Sequence, residues 1–330
     1  MKILHISAHM GGGVGSVIMG WVERDQENCH EIALLDYAND KAVAWSAKVP
    51  VFMTWNRSVK MASLLEQIAK ADIVICHDYE NPFMETFYKW PLPPCRMVTW
   101  CHKNYEVPDQ VQCYPDMFVG TSPIQGFEKW IWSTGGVERF RDIAPEPHTG
   151  FNIGYVGTVD YKKLHPDFIV LCRRIAEKIP EVHFTIVGGN NLGVMSDHLF
   201  TFTGKVDDVA PYLAQMDCFG YPLRKDHYGT CELVLGEAMA AGVIPVVMNN
   251  PAENIIVDNE VNGLVAHSGA EYVALVQQLY AYQGTLFNTT LSNLAKHDAQ
   301  YLYDIETMIR LWNLAFQELM EEPKRERRHL

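Results

Sequence analysis

The chain has 330 residues, 48% of them hydrophobic, 20% charged and 11% aromatic, with 40 Asp and Glu against 27 Lys and Arg. That length predicts two domains, each able to bury its own core, and the balance excludes a disordered, collagenous or coiled-coil chain. A formal charge of −13 argues against a protein that grips a nucleic-acid backbone, while a small anion held by a few local cations stays compatible with it.

The first strand, KILHIS, begins at once with no charged-then-apolar leader before it, and no run approaches about 18 uninterrupted apolar residues. Eight cysteines (Cys29, Cys76, Cys95, Cys101, Cys113, Cys172, Cys218 and Cys231) are scattered without a C-x-x-C pair, several of them inside apolar runs. Both observations predict a cytoplasmic protein with reduced thiols and no membrane span.

In the first half, KILHIS, EIALLDY, PVFMT, DIVICH, MVTWC and MFVGT read as buried strands, with helical spacing over 15–23, 57–70 and 124–132. In the second, NIGYVG, VHFTIVGG, FTFTG, CFGYP, VIPVVM and GLVA are the strands, and 166–178, 207–215 and 233–241 the helices. Strands that alternate with helices build parallel sheets covered on both faces, so the expected class is α/β with two doubly wound, Rossmann-like domains. Pro145 and Pro147 set the expected domains at 1–147 and 148–300. Residues 270–320 read as largely helical, and PKRERRHL as a solvated basic tail.

Three stretches carry candidate chemistry. The loop Met10-Gly11-Gly12-Gly13-Val14-Gly15 follows the first strand and opens a helix, where close backbone approach and the helix start suit an anion. A dinucleotide site fits it poorly, because the glycines are crowded and no acidic residue ends the second strand; a plain tight turn is the alternative. In GYVGTVDYKKLHPDF, Lys162 and Lys163 precede a proline-started helix, and only one of two adjacent lysines can face a phosphate.

The third stretch runs from Tyr221 through LVLGEAMAAGVIPVV. Glu237 inside an apolar helix needs a partner, either a bound diol such as a ribose or a neighbouring Arg. Backbone N–H groups around Thr230, Cys231 and Leu233 can receive a diphosphate at the same helix start.

Other conspicuous residues have plainer readings. Cys76-His77-Asp78 and Cys101-His102 end neighbouring strands but lack metal-ligand spacing, so no metal is expected. Asp207 and Asp208 read as a helix N-cap. Trp130 and Trp132 are either an acceptor platform or packing, and Tyr301, Tyr303, Trp312 and Phe316 are expected in the core.

Taken together, MGGGVG, VTWCHKNYE, GYVGTVDYKKLHPDF and GEAMAAGVIPVV resemble, in order and spacing, the family-4 glycosyltransferases. The resemblance implies the GT-B architecture, two domains facing across a cleft with residues 301–330 crossing back to the first. It implies a retaining, metal-independent transferase that needs no cofactor beyond a nucleotide-diphosphate sugar as co-substrate. The acceptor class is a carbohydrate, a lipid-linked sugar or another small molecule, with nucleic acid disfavoured by charge. His102, Lys163 and Glu232 are implied as catalytic. Gly12, Gly13, Val14, Gly15, Thr158, Gly204, Val206, Arg224, Gly229, Thr230, Cys231, Leu233 and Glu237 are implied, with Lys163, as donor-binding.

Two departures from the family pattern stand out. The family's first glutamate falls on Gly229, with Glu232 nearby, and its phosphate arginine falls on Thr158, with Arg224 as the replacement. Glu232 and Glu237 would point about 140° apart on one helix, so Glu232 can serve only at or before the helix start. A sugar- or nucleotide-binding protein with a degenerate site and a nucleotide-sugar epimerase of the same architecture are the alternatives.

Overall fold

The computed structural model describes residues 1–53 and 59–327. It divides into two compact units, Met1–Gly136 with Ile305–Leu330, and Val137–Asp304. The division falls after Gly136 rather than at residue 147, because Glu138–Arg141 forms a short helix that packs on the helix Leu233–Ala240. Residues 301–304 likewise stay with the second unit: the Tyr303 hydroxyl donates to the carbonyls of Cys231 (2.5 Å) and Glu232 (3.2 Å).

The strands of the first unit are β1 (Lys2–Ser7), β2 (Cys29–Leu34), β3 (Val51–Met53), β4 (Ile73–Asp78), β5 (Leu92–Cys95), β6 (Met97–Cys101) and β7 (Met117–Gly120). Six of them form a parallel sheet in the order β3-β2-β1-β4-β6-β7. Every residue of β4 and β6 is buried, which is why these strands read as unbroken apolar runs. The connecting helices are α1 (Gly12–Arg24), α2 (Asp40–Trp45), α3 (Val59–Lys70), α4 (Pro82–Tyr88) and α5 (Asp109–Gln112). The expected starts of α3 at Arg57 and the end of β3 at Thr54 lie outside the described residues.

The second unit contains α6 (Glu138–Arg141), β8 (Phe151–Val156), α7 (Phe168–Ala176), β9 (Val182–Val187), β10 (Phe200–Gly204), α8 (Ala210–Leu213) and β11 (Cys218–Tyr221). It continues with α9 (Leu233–Ala240), β12 (Ile244–Met248), α10 (Glu253–Ile256), β13 (Leu264–Ala266), α11 (Gly269–Ala281) and α12 (Leu286–Leu302). Its parallel sheet runs β10-β9-β8-β11-β12-β13. Each sheet therefore reverses its winding once, between β1 and β4 and between β8 and β11. Ligands of doubly wound sheets bind at such switch points, beyond the carboxyl ends of the strands.

Several expectations need correction. Residues 124–132 make only a 3-10 turn (Pro123–Gln125), closed by Gly126 at φ +72°. The Gln125 side chain is drawn inward to the Thr121 N–H (2.7 Å) and to the carbonyls of Cys101 and Lys103 (both 3.0 Å), so the segment serves the sheet edge. Residues 207–215 shrink to the single turn α8, with Asp208 accepting the Ala210 N–H at 3.1 Å. Tyr301 is 84% exposed rather than in the core, whereas Tyr303, Trp312 and Phe316 are buried.

The basic tail is not simply solvated. After α13 (Ile305–Met320), β14 (Arg325–Arg327) pairs antiparallel with β5. Arg327 is buried, donating to the Tyr114 carbonyl at 2.5 Å and pairing with Asp116. Prolines 93 and 94 suit β5, which has a single hydrogen-bonded neighbour. Among the described residues no disulfide forms, and six of the eight cysteines are buried. No helix among them is long and apolar enough to cross a membrane.

Candidate functional site

In the second unit, the segments after β8 and β11 are stitched together at the switch point. The His165 N–H donates to the Pro222 carbonyl (2.8 Å) and the Arg224 N–H to the Lys163 carbonyl (3.0 Å), with a bridge between Leu164 and Leu223. This turns the Lys163 side chain inward. Its ammonium lies 2.9 Å from Glu232 Oε2 and 5.4 Å from the centre of the Tyr221 ring, and the Tyr221 hydroxyl donates to the same carboxylate oxygen.

Glu232 sits at the N-cap of α9 with φ +36°, a left-handed conformation that non-glycine residues rarely adopt. The twist swings its carboxylate back over Gly229, where any Cβ would collide with Glu232 Oε1. The carboxylate thus fills the space in which a side chain at position 229 would lie. Burial pushes the Glu232 carboxyl up, but the Lys163 ammonium, His227 and the Tyr221 hydroxyl outweigh it and hold the group below its ordinary value. Burial pushes the Lys163 ammonium down, and Glu232 more than restores it, so both remain charged.

Two more buried groups complete the cluster. His227 Nδ1 accepts the Gly229 N–H at 3.0 Å, so the ring proton resides on Nε2 and is donated to the Glu253 carboxyl at 3.1 Å. Burial, aided by the nearby Glu232 charge, raises the Glu253 carboxyl above its ordinary value. His227, Glu232 and Glu253 bring one potential ligand atom each within 4.8 Å of one another. Both imidazole nitrogens and Glu232 Oε2 already have protein partners, whereas, among the described residues, Glu232 Oε1 and Glu253 Oε1 are buried without a hydrogen-bond partner.

The other expected donor residues of this unit lie around the cluster. Glu237 on α9 is partly exposed, with Arg139 Nη2 4.0 Å away. Arg224 does not pair with Lys163 through its side chain; its guanidinium is engaged by Asp226 (2.7 and 2.9 Å) and the Tyr161 carbonyl (3.2 Å). Thr158 is exposed, and its carbonyl accepts from the Tyr155 hydroxyl. Gly204, at φ +72°, accepts the Gly188 N–H at the end of β10, with Val206 half-buried beyond it. Thr230 and Cys231 are buried and Leu233 half-buried at the α9 start.

In the first unit, Gly12 and Gly13 are exposed and Val14 half-buried at the start of α1, with Gly12 at φ +65°. Gly15 is buried, and a Cβ there would strike the Met10 carbonyl, so this glycine serves helix-to-strand packing. Trp130 is 46% exposed, while Trp132 is buried.

His102, just beyond β6, is not isolated. Its Nε2 is 2.9 Å from His77 Nδ1; His77 Nε2 is 3.0 Å from His5 Nδ1; His5 Nε2 is 2.9 Å from His30 Nδ1. The chain ends at Asp25, whose Oδ2 lies 3.1 Å from His30 Nε2. Trp21 and Trp100 wall this row with ring centroids 4.6–5.9 Å from the imidazoles, and Trp312 packs on both indoles. Burial keeps His5 and His77 well below the ordinary imidazole value and pushes His102 down to about 3.

Reading the sequence missed Tyr221, His227 and Glu253 in one unit and Asp25, His5 and His30 in the other. The available signal was polar residues inside apolar strands, His5 in KILHIS above all.

Residues 150–282, within the second unit, match the family model described as glycosyl transferases group 1. No curated protein matches the chain in sequence. Among solved structures, the glycosyltransferase of Rickettsia africae ESF-5 is 13% identical with TM-score 0.76, over 97% of this chain and 99% of that one. HepE of Anabaena, solved with UDP and glucose, is 14% identical with TM-score 0.75, over 96% of this chain and 100% of that one. The sucrose-phosphate synthase of Thermosynechococcus elongatus is 15% identical with TM-score 0.71, over 97% and 99%. The fold is that of the GT-B glycosyltransferases.

Proposed function

We propose that the protein transfers a sugar from a nucleoside-diphosphate donor to a carbohydrate, lipid-linked sugar or small-molecule acceptor, retaining the anomeric configuration and requiring no metal. The observation that carries this reading is the buried Lys163–Glu232–Tyr221 cluster at the switch point of the second sheet, inside the segment matching the group 1 family.

Lys163 is a fixed, fully charged cation beside the start of α9, where helix-start N–H groups favour an anion. A donor diphosphate gains negative charge as it departs, and a preorganised cation and amides stabilise that change without reorganising. Glu232 keeps Lys163 charged and, from the position the empty side of Gly229 leaves for it, accepts hydrogen bonds from donor-sugar hydroxyls. Glu237 holds the ribose diol, and Gly204 and Val206 flank the base. Arg224 exchanges Asp226 for phosphate when the donor arrives. To the first unit this reading gives the acceptor, with His102 kept as a catalytic group and the backbone of Gly12, Gly13, Val14 and Gly15 as donor-binding groups. Buried thiols without a disulfide suit the reducing cytoplasm.

HepE was solved with UDP and glucose, so uridine diphosphate is the first ligand to test. Saturating nucleoside diphosphate, at about 100 times Kd, should stabilise the fold by about 2.7 kcal/mol, read as a rise in Tm. Lys163→Ala and Glu237→Ala should each lower transfer by orders of magnitude in folded protein. Full activity in both variants would remove this assignment.

A further inference from the structure

The four histidines lie on one diagonal of the first sheet. His30 on β2 is two positions away from the residue that pairs with His5: Ile3 pairs with His30, and His5 follows Ile3 by two. His5 pairs with Ile75 on β4, and His77 follows Ile75 by two. His77 pairs with Trp100 on β6, and His102 follows Trp100 by two. A step of two keeps every ring on the same face of the sheet, so the register alone aligns four imidazoles from β2 to the carboxyl end of β6.

With all four rings neutral, hydrogen-bond accounting fixes where the protons are. Asp25 accepts from Trp21 Nε1 (3.1 Å), the Glu27 and Asn28 N–H groups (3.0 and 3.2 Å) and Asn28 Nδ2 (2.8 Å). A carboxyl surrounded by donors is an acceptor only, and these hydrogen bonds, with His30, hold it well below its ordinary value against the opposing effect of burial. His30 must therefore donate to it from Nε2. A neutral His30 has only a lone pair left on Nδ1, so His5 donates from Nε2. The same step repeats at His77 and at His102, leaving His102 Nδ1 as the proton acceptor of the whole row.

We propose that Asp25, His30, His5 and His77 are positioning residues of a proton relay that fixes His102 in its Nε2–H tautomer and carries a proton taken up at His102 Nδ1 toward Asp25. The transfer balances without any further reactant. One proton binds His102 Nδ1, and His102 passes its Nε2 proton to His77 Nδ1. His77 passes its own to His5, and His5 to His30. His30 then bears protons on both nitrogens, and the added positive charge rests beside the Asp25 carboxylate rather than at His102. His102, His77 and His5 end in the opposite tautomer and His30 as the imidazolium, with His102 now a donor from Nδ1.

The surroundings leave few competing charges. On β4, Asp78 follows His77 and so points to the other face of the sheet, where it accepts from the Tyr105 hydroxyl at 2.9 Å. Trp21 of α1 and Trp312 and Phe316 of α13 contribute apolar rings. At the Asp25 end, a surface recess of about 530 Å³ has Arg24, Glu27, Glu306 and Arg310 as the charged groups of its lining besides Asp25 itself.

Nitrogen NMR of the full chain with labelled histidine tests the relay directly and needs neither donor nor acceptor. At neutral pH, His5, His30, His77 and His102 should each show a protonated Nε2 and an unprotonated Nδ1, with through-hydrogen-bond couplings linking them in that order. As the pH falls, uptake of one proton should move all four Nδ1 signals together. A ring found as the Nδ1–H tautomer at neutral pH, or a titration confined to His102, would overturn the proposal. Asp25→Asn, if folded by circular dichroism, should lose the uniform ordering; uniform Nε2–H tautomers in that folded variant would also overturn it. Should Asp25→Asn fail to fold, His102→Ala decides: the remaining three rings must keep their tautomers, because the ordering starts at Asp25. The link to transfer is separate and rests on the proposed function. Ordered tautomers with unimpaired transfer by His102→Ala would leave the relay standing and remove His102 from the transferase site.

Discussion

The two units share one sheet topology but bury polar groups in opposite ways. The second unit buries full charges: Lys163 and Glu232 are both almost enclosed and survive there only because they lie 2.9 Å apart with Tyr221 completing the carboxylate. The first unit buries imidazoles in a row, with burial holding His5, His77 and His102 neutral, and places a carboxylate at one end, where Asp25 is surrounded by donors. Paired charge is intolerant of losing one member. A neutral array gives up only hydrogen bonds when it is cut.

That contrast is sharpest in single and paired substitutions. Lys163→Met leaves Glu232 charged and buried without its cation, and should destabilise the fold by about 3–5 kcal/mol in urea titration. Adding Glu232→Met should recover much of that loss, because the uncompensated charge is gone. A double variant no more stable than Lys163→Met would show that the pair does not govern this site. The pH dependence has a definite sign. Glu232 is held below its ordinary value of 4.5, so its contribution is present above that pH and lost as acid titrates the folded group. Lys163 is raised above 10.5, so its contribution is present below that pH and lost as alkali titrates it. Lys163→Met should therefore flatten both limbs of the stability profile.

In the first unit the comparable substitution should do less. Asp25→Asn removes a charge that accepts several hydrogen bonds, with an expected loss of about 1.5–3 kcal/mol at neutral pH. Asp25 lies below its ordinary value, 3.8, so this contribution too is lost only in acid. Wild type and variant should therefore converge in stability as acid titrates the folded carboxylate, read by urea titration across acidic pH. A gap that persists unchanged into strong acid would show that the Asp25 charge is not what stabilises this end of the row.

Both sheets were legible because their strands are covered on two faces and so read as apolar runs, DIVICH and MVTWC among them. The glycine turns and the polar loops at the strand ends were legible too, and they lie where ligands of such sheets bind. What escaped was non-local. Lys163 and Glu232 are 69 positions apart, and nothing in either segment announces that they meet. Gly229 looked like a missing carboxylate, whereas the backbone turn at Glu232 brings another carboxylate into its space. The histidines sit on four different strands or strand ends, so each alone looks like a lone core residue, and only register makes them a row. The pairing of β14 with β5 was hidden by a charged tail and two prolines, both ordinarily marks of a loop.

The smallest effect tests whether Glu237 belongs to the buried-pair logic of Glu232 or to a different one. Both lie on or beside α9, but the Glu237 side chain is 17% exposed and Arg139 approaches only to 4.0 Å, itself 63% exposed. A pair so placed is worth about 0–1 kcal/mol, because water screens it and two long side chains must be ordered to make it. Arg139→Ala should therefore change stability by about 0.5 kcal/mol or less and leave nucleotide-dependent stabilisation intact. Glu237→Ala should abolish most of that stabilisation while changing the ligand-free fold equally little. If Arg139→Ala instead costs as much as breaking the Lys163–Glu232 pair, Glu237 is a structural carboxylate held by its arginine. The ribose contact would then have to be sought among other groups at the start of α9.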